Sequence, residues 1–238
     1  PERVPDPPSS PPRGDPEADF YFIHQENEEK VLGLILKLCR FSLPKKLGLS
    51  PLSTQIQVIS PMYRGLAGVD RLNLELQKAL NPNSASFKLG SKELRTGDKV
   101  MQTRNNYDKE VFNGDLGMVA QIDPRKLRVL VDFDGRLITY EKDELSEIVL
   151  AYAISVHKAQ GNEYQAVVMP LLTQHYIMLQ RNLFYTALTR ARKMSIIIGS
   201  YRALHIAIKN DRPVNRNSYL KENIQDLMKN PPANFHLY

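Results

Sequence analysis

The chain is short of cysteine, it has no glycine followed by lysine, and it has no apolar run that approaches a membrane span. Each shortage excludes something. Cys39 is the only thiol, so no internal disulfide and no multi-cysteine zinc site can form. A lone thiol also fits a reducing, cytoplasmic setting. It sits in the apolar run Leu34-Ile35-Leu36-Lys37-Leu38-Cys39 and reads as a small buried hydrophobe rather than a nucleophile. A phosphate-binding loop needs Gly-x-x-x-x-Gly-Lys-Ser/Thr, whose backbone amides cradle phosphates while the lysine reaches them. None of the twelve glycines precedes a lysine, so that loop is absent from this sequence. No segment comes near the ~20 apolar residues that cross a bilayer, and no signal peptide opens the chain. A membrane is therefore not an expected partner. The first residue is Pro1 rather than Met, so the chain is expected to be a piece of a longer protein.

What is present is ordinary in bulk and patterned in detail. The 238 residues allow one or two domains, and a hydrophobic share of 42% allows a buried core. The net charge of +6 is compatible with a polyanionic partner without requiring one. Seven of the sixteen prolines fall within residues 1–16, which predicts an extended linker over 1–19. Phe20-Tyr21-Phe22-Ile23 reads as a strand. A helix follows over 24–43, with Leu32, Ile35, Leu36 and Cys39 on one face and Glu26, Glu28 and Glu29 near its amino end. Residues 55–60 read as a second strand. Residues 66–80 read as a helix with Leu72, Leu76, Ala79 and Leu80 on one face, stopped near Pro82. This strand–helix–strand–helix order predicts a parallel α/β layer.

From about residue 91 the pattern becomes short strands: 99–102, 117–122, 127–133 and 137–140. Asn113-Gly114 reads as a tight turn, and Asp134-Gly135 joins the last two strands as a hairpin. A small β-barrel inserted over 91–147 is the expectation. The hairpin also makes Asp132 a strand end rather than a magnesium ligand, and no metal site is expected. After 148 the α/β pattern returns, with a strand at 166–169, a helix over 177–191 and a strand at 194–198. The fold class is thus an α/β parallel-sheet domain, built from 20–90 and 148–209, with a β insertion and a polar tail over 210–238.

Three clusters carry chemistry. Ser60-Pro61-Met62-Tyr63-Arg64-Gly65 directly follows a strand, where ligands collect in parallel sheets. Arg64 can fork onto a phosphate and Tyr63 can stack on a base; alone, the pair reads equally as a surface arginine and a packed tyrosine. In the second cluster, Ser155-Val156-His157-Lys158-Ala159-Gln160-Gly161-Asn162-Glu163, Ser155 can cap a short helix that Gly161 ends. That helix start, with His157, can hold a nucleic-acid backbone, and Glu163 can accept from a ribose. The third is Arg181 to Lys193. Its stripe of Leu183, Phe184, Ala187, Leu188 and Ala191 puts Arg190 and Arg192 about 200° apart at ~100° per residue. Only one of them can then serve as an arginine finger on a phosphoryl group, unless the helix ends first.

In this order and spacing the clusters resemble motifs IV, V and VI of superfamily 1 helicases. Ser-Val-His-Lys-Ala-Gln-Gly-Asn-Glu and Tyr-Thr-Ala-Leu-Thr-Arg-Ala-Arg resemble the RecD-type branch, superfamily 1B, like the exodeoxyribonuclease V alpha subunit. Gly97-Asp98-Lys99-Val100-Met101-Gln102 and Phe112-Asn113-Gly114-Asp115 resemble that branch's SH3-like domain 2B. The resemblance runs over about residues 20–205.

It implies a RecA-like lobe of the P-loop NTPase fold, lobe 2A, with the SH3-like barrel inserted. The motor of which it is a part would move 5′ to 3′ on single-stranded DNA. ATP and Mg2+ would sit between this lobe and a lobe 1A that carries the phosphate loop and the Walker B acid, leaving this chain inactive alone. Arg190 and Arg64 would approach the γ-phosphate. Gly161, Glu163 and Tyr63 would touch the nucleotide, and Ser155, His157, Lys158 and Arg192 would face DNA. Expected partners are single-stranded DNA, duplex junctions, lobe 1A and the subunits of a nuclease–helicase complex. A stand-alone nucleic-acid-binding module and a non-catalytic scaffold remain as alternatives.

Overall fold

The computed structural model describes residues 19–82, 84, 86–89, 92–211, 225, 227 and 228. The linker expected over 1–19 and the tail expected over 210–238 fall almost wholly outside them. The chain enters through strand β1 (Phe20–His24). Asn27 then caps helix α1 (Glu28–Lys37) by accepting from the Lys30 amide at 3.0 Å, with Glu28 and Glu29 in the first turn. The helix widens into a π turn over Leu38–Ser42 before α2 (Leu43–Leu47). Pro44 supplies a cause: it lacks an amide donor and its ring crowds the carbonyl four residues back, so the turn loosens and the Leu43 amide reaches back to Leu38. The fully buried face is Val31, Ile35, Cys39 and Leu43. The expected Leu32 and Leu36 pack only partly, because the stripe follows the looser turn.

Strand β2 (Ile56–Ser60) is buried throughout and leads to α3 (Val69–Leu80), which buries Leu72 and Leu76 as expected. After the β-rich insertion come β10 (Ala153–Ser155) and β11 (Tyr164–Leu171). Helix α4 (Arg181–Leu188), β12 (Ala191–Gly199) and α5 (Tyr201–Lys209) complete the α/β part. The sheet order is β1-β12-β11-β2-β10 and every pairing is parallel. Its central strands are near-continuous apolar runs because both faces are covered. Helices α1, α2 and α3 pack one face through Val31, Ile35, Leu43, Leu72 and Leu76. Helices α4 and α5 pack the other through Leu183, Phe184, Ala187, Ala203 and Ala207. This is a RecA-like α/β layer.

Helix α4 is shorter than the 177–191 expected. Its amino side is a 3-10 segment (Thr173–Met178), and at its end Ala191 is already paired in the sheet opposite Tyr164. Sheet pairing thus outcompetes the last helical turn.

The insertion opens with the β3 (Ser86–Leu89) and β4 (Lys92–Arg95) hairpin. Strands β5 (Lys99–Gln102), β6 (Leu116–Asp123), β7 (Arg128–Phe133), β8 (Arg136–Tyr140) and β9 (Ile148–Leu150) follow. They pair antiparallel in the order β8-β7-β6-β5-β9 around Val100, Val119, Val131, Phe133 and Tyr140. A 3-10 segment (Lys142–Glu147) links β8 to β9. Asp134 and Gly135 both take positive φ (51° and 91°), the turn a two-residue hairpin demands. The Asp132 carboxylate accepts from the Gly135 amide at 2.7 Å, so it closes that hairpin as expected. Among the described residues no helix is long and apolar enough to cross a membrane.

Candidate functional site

The sequence clusters separate onto two ends of the parallel sheet. At the carboxyl end of β2, the Ser60 hydroxyl donates to the Ala67 carbonyl at 2.7 Å and folds residues 61–68 back on themselves. The Val69 amide then reaches the Met62 carbonyl and starts α3. Gly68 is required there: a Cβ would lie 2.4 Å from the Arg64 carbonyl oxygen. The fold-back leaves Arg64 exposed, with no hydrogen bond or ion pair among the described residues. Tyr63, 53% exposed, donates its hydroxyl to Ser155 Oγ at 3.2 Å. Ser155 ends β10, the neighbouring strand. Its Oγ accepts from the Lys158 amide and its carbonyl from the Ala159 amide, making one helical turn rather than the expected short helix. Gly161 (φ +88°) turns the chain out of it. His157 is exposed on that turn, and Lys158 Nζ donates to Asn113 Oδ1 of the insertion. Tyr63, Arg64, Ser155, His157 and Lys158 thus share one edge, whose hydroxyls and cations suit a phosphodiester backbone.

The second cluster lies at the amino end. Gly161, Asn162 and Glu163 precede β11, and Arg190 immediately precedes β12. Arg190 is half-buried. Its guanidinium donates to the Thr186 carbonyl (3.3 Å), the Asn162 carbonyl (3.3 Å) and Thr189 Oγ1 (3.4 Å). All three acceptors are neutral and the bonds are long, so its charge has no carboxylate partner among the described residues. Arg192 differs: its Nε donates to Glu163 Oε2 at 2.7 Å, in an exposed ion pair. The helix ends before either arginine, so the 200° separation does not apply. What distinguishes the two is the company each keeps.

Arg64 and Arg190, expected to converge on one phosphate, are not brought together. In register, Ile56, Ala166 and Met194 lie at one level of the sheet. Arg64 comes four residues after the end of β2, whereas Arg190 comes four before that level. The five residues of β2 alone span about 16 Å. Tyr63, expected at the nucleotide, is likewise bonded to the Ser155 edge.

Beside Glu163 a polar cleft of about 280 Å³ opens toward the insertion, where Asp115, Asp134 and Arg136 line it. Three carboxylates make it unsuited to a polyphosphate. Among the described residues no group of three or more His, Cys, Asp or Glu is placed to hold a metal ion.

The sequence reading gave no role to the junction between the layers. Asp98 is fully buried and accepts from Gln77 (2.6 Å), Asn81 (2.8 Å), the Arg95 amide (2.7 Å) and the Tyr152 hydroxyl (2.8 Å). Burial outweighs these donors and raises its carboxyl above the ordinary range. Lys99 donates to the Ile56 carbonyl at 2.6 Å, and burial lowers its ammonium to about 8. Adjacent charged residues opening a strand of buried neighbours were the available signal.

A parallel sheet with helices on both faces defines a RecA-like lobe, here with a basic polar edge at the carboxyl end of its strands. The comparisons with known proteins narrow this. The profile of the ATP-dependent RecD-like DNA helicase SH3 domain matches residues 72–133, and that of the UvrD-like helicase C-terminal domain matches 150–198. The ATP-dependent RecD2 DNA helicase of Deinococcus radiodurans is 44% identical over 170 residues, covering 71% of this chain and 23% of that protein. The RecBCD enzyme subunit RecD of Mycolicibacterium smegmatis is 31% identical over 146 residues, covering 61% and 25%. A Pif1 helicase solved in a study of unwinding at forked duplex DNA aligns at a TM-score of 0.48 and 21% identity, over 87% of this chain and 53% of that one. The chain is therefore similar to the RecD-type helicases in both its lobe and its insertion. It spans about a quarter of the length of the curated relatives it matches.

Proposed function

We propose that this chain is the lobe 2A and 2B part of an ATP-dependent motor that moves 5′ to 3′ on single-stranded DNA. In this reading the lobe comprises about 20–85 and 151–209, and the SH3-like insertion 86–150, wider than the 91–147 read from the sequence because β3 pairs with β4 and β9 with β5. Arg190 is the arginine finger, with Gly161 and Glu163 beside the nucleotide. Ser155, His157 and Lys158 hold the DNA backbone. We assign Arg64 to that same backbone and not to the γ-phosphate, because it opens on the Ser155 edge. Tyr63 goes with it. Arg192 holds Glu163 in place and is at most a secondary DNA contact. Bound ATP with Mg2+ supplies the phosphoryl group whose transfer drives the cycle. The chain's own contribution to that site is a cation, since the phosphate loop and the metal ligands belong to a facing lobe 1A. Membership of a nuclease–helicase complex fits relatives named as RecBCD subunits. A reducing, cytoplasmic setting fits the single buried thiol, Cys39.

The observation that carries this is the state of Arg190: half-buried, held in place by neutral carbonyls, and without a countercharge among the described residues. Such a cation gains a partner only when an anion is presented opposite it. Closure of the two lobes is then favoured while a γ-phosphate is present and released once it is gone. In a protein carrying both lobes, Arg190→Ala is expected to lower DNA-stimulated ATP turnover about 10³-fold or more. Arg192→Ala, which breaks only an exposed ion pair, is expected to change it far less. Near-normal turnover in Arg190→Ala with intact DNA binding would sink the assignment.

A further inference from the structure

The insertion carries two large aromatic rings that its core does not use. Tyr107 is 74% and Phe112 45% exposed, and they meet edge to face with ring centroids 6.0 Å apart. The loop holding them is tied down at every side. Asn106 and Val111 form a bridge across its neck, with Val111 fully buried in the core of the insertion. Asn105 Nδ2 donates to the Tyr107 hydroxyl, and Asn105 Oδ1 accepts from the Asn113 amide at 3.0 Å. Asp115 Oδ2 accepts from the Phe112 amide at 2.8 Å. Lys109 anchors the tip to the Thr139 carbonyl and Glu144. Rings exposed on so fixed a loop are pre-organised for a flat, apolar ligand.

The loop's neighbour says which ligand. Lys158 donates to Asn113 Oδ1, and Asn162 Nδ2 donates to the Gly114 carbonyl at 3.2 Å. Phe112 therefore adjoins Asn113, the residue that Lys158 contacts from the turn presenting Ser155 and His157, and Tyr107 meets Phe112 edge to face. Arg104, exposed in the same loop, adds a further cation. A charged backbone track flanked by exposed rings is the arrangement that binds single strands: cations hold the phosphates and the rings take the bases. We infer that Tyr107 and Phe112 form a base-stacking platform for the single DNA strand where it meets the Ser155–Lys158 turn. This rests on the nucleic-acid edge proposed above. The carboxylates nearby do not oppose it: Asp115 is occupied by the Phe112 amide and Glu110 faces Arg136. Asp108 is the exception at the tip, and stacking does not depend on charge. The insertion thereby becomes part of the strand's path and more than a spacer.

The sequence contains no tryptophan, so Tyr107→Trp places the sole tryptophan, excited selectively at its red edge, at the platform of the 238-residue chain. Its emission is titrated with (dT)15 at low salt, while anisotropy of labelled (dT)15 reports binding independently. The expected result is saturable quenching that follows the anisotropy curve. Tyr107→Ala combined with Phe112→Ala is expected to weaken binding about tenfold or more, and Tyr107→Phe to leave it near normal. Normal anisotropy with unquenched tryptophan, or full affinity in the double-alanine variant, would overturn the platform and leave the rings to a protein partner. A flat anisotropy titration of the unsubstituted chain would instead refute the nucleic-acid edge, and the platform with it.

Discussion

His175 and Arg190 show how much a single side chain's surroundings decide. His175 is fully buried, and its Nδ1 accepts from the Leu172 amide at 3.2 Å. Its proton must therefore sit on Nε2, which finds no hydrogen-bond partner among the described residues. Burial lowers its pKa from 6.5 to about 4. The unfolded chain takes up a proton as pH falls through 6.5, but the folded chain refuses it until about 4. Stability is thus full above 6.5 and lost progressively toward 4. His175→Asn keeps an acceptor for the Leu172 amide and removes the titration. Its urea-unfolding free energy is expected to fall less between pH 7 and pH 4.5 than that of the unsubstituted chain, and equal slopes would refute the assignment. Cys39 is the converse case. Burial pushes its thiol up to about 12, so it stays a packing residue.

At the scale of elements, the decisive contact joins α3 to β5. Asp98 gathers Gln77 and Asn81 from α3 and its end, the Arg95 amide from β4, and Tyr152 from the return segment. Lys99 fastens the same strand to β2. Strand β5, the first of the five-stranded sheet of the insertion, is therefore fixed to the lobe by buried, directional bonds. Asp98→Ala leaves several buried donors unpaired and is expected to cost about 3 kcal/mol. Chemical denaturation measures this, and a loss below about 1 kcal/mol would show the junction to be incidental. Secondary-structure competition acts at this scale too. The sequence from Arg181 to Lys193 has a helical stripe, yet the backbone from Ala191 onward joins the sheet. Helical periodicity survives in the side chains only as far as Leu188.

Across the whole molecule, the insertion is not a bead on a string. Met101 lies inside the second core of the lobe, and Val149 and Leu116 pack against it. Leu150 packs against the first core and also against that of the insertion. The chain is expected to melt in one transition, with equal calorimetric and van't Hoff enthalpies. Removing residues 91–147 takes Asp98, Lys99 and Met101 away together and is expected to lower the melting temperature of the remaining lobe. Two well-separated transitions in the intact chain would contradict this. The Ser155 edge and the Arg190 edge then belong to one cooperative body, because both are borne by the same sheet.

By itself the sequence determined the elements and the chemistry available to them. Alternation and hairpin dipeptides marked β6 to β8, apolar runs marked β1, β2, β11 and β12 but not the three-residue β10, and the motifs from Ser60, Ser155 and Arg181 onward marked the candidate site residues. These signals are local, set by backbone preference and side-chain period, and so they can be read without coordinates. Tertiary structure alone decided which of those residues share a site. Strand order and register are long-range properties, and they send Arg64 to the carboxyl edge and Arg190 to the amino edge of the same sheet. Only contact distances could show that Glu163 answers Arg192 and leaves Arg190 without a countercharge. The junction at Asp98 and the rings at Tyr107 and Phe112 were hidden for the same reason: burial and exposure depend on what the rest of the chain brings near. The missing glycine–lysine loop remains the plainest statement of the sequence, and what the fold adds to it is a half-buried Arg190 whose guanidinium meets only neutral acceptors among the described residues.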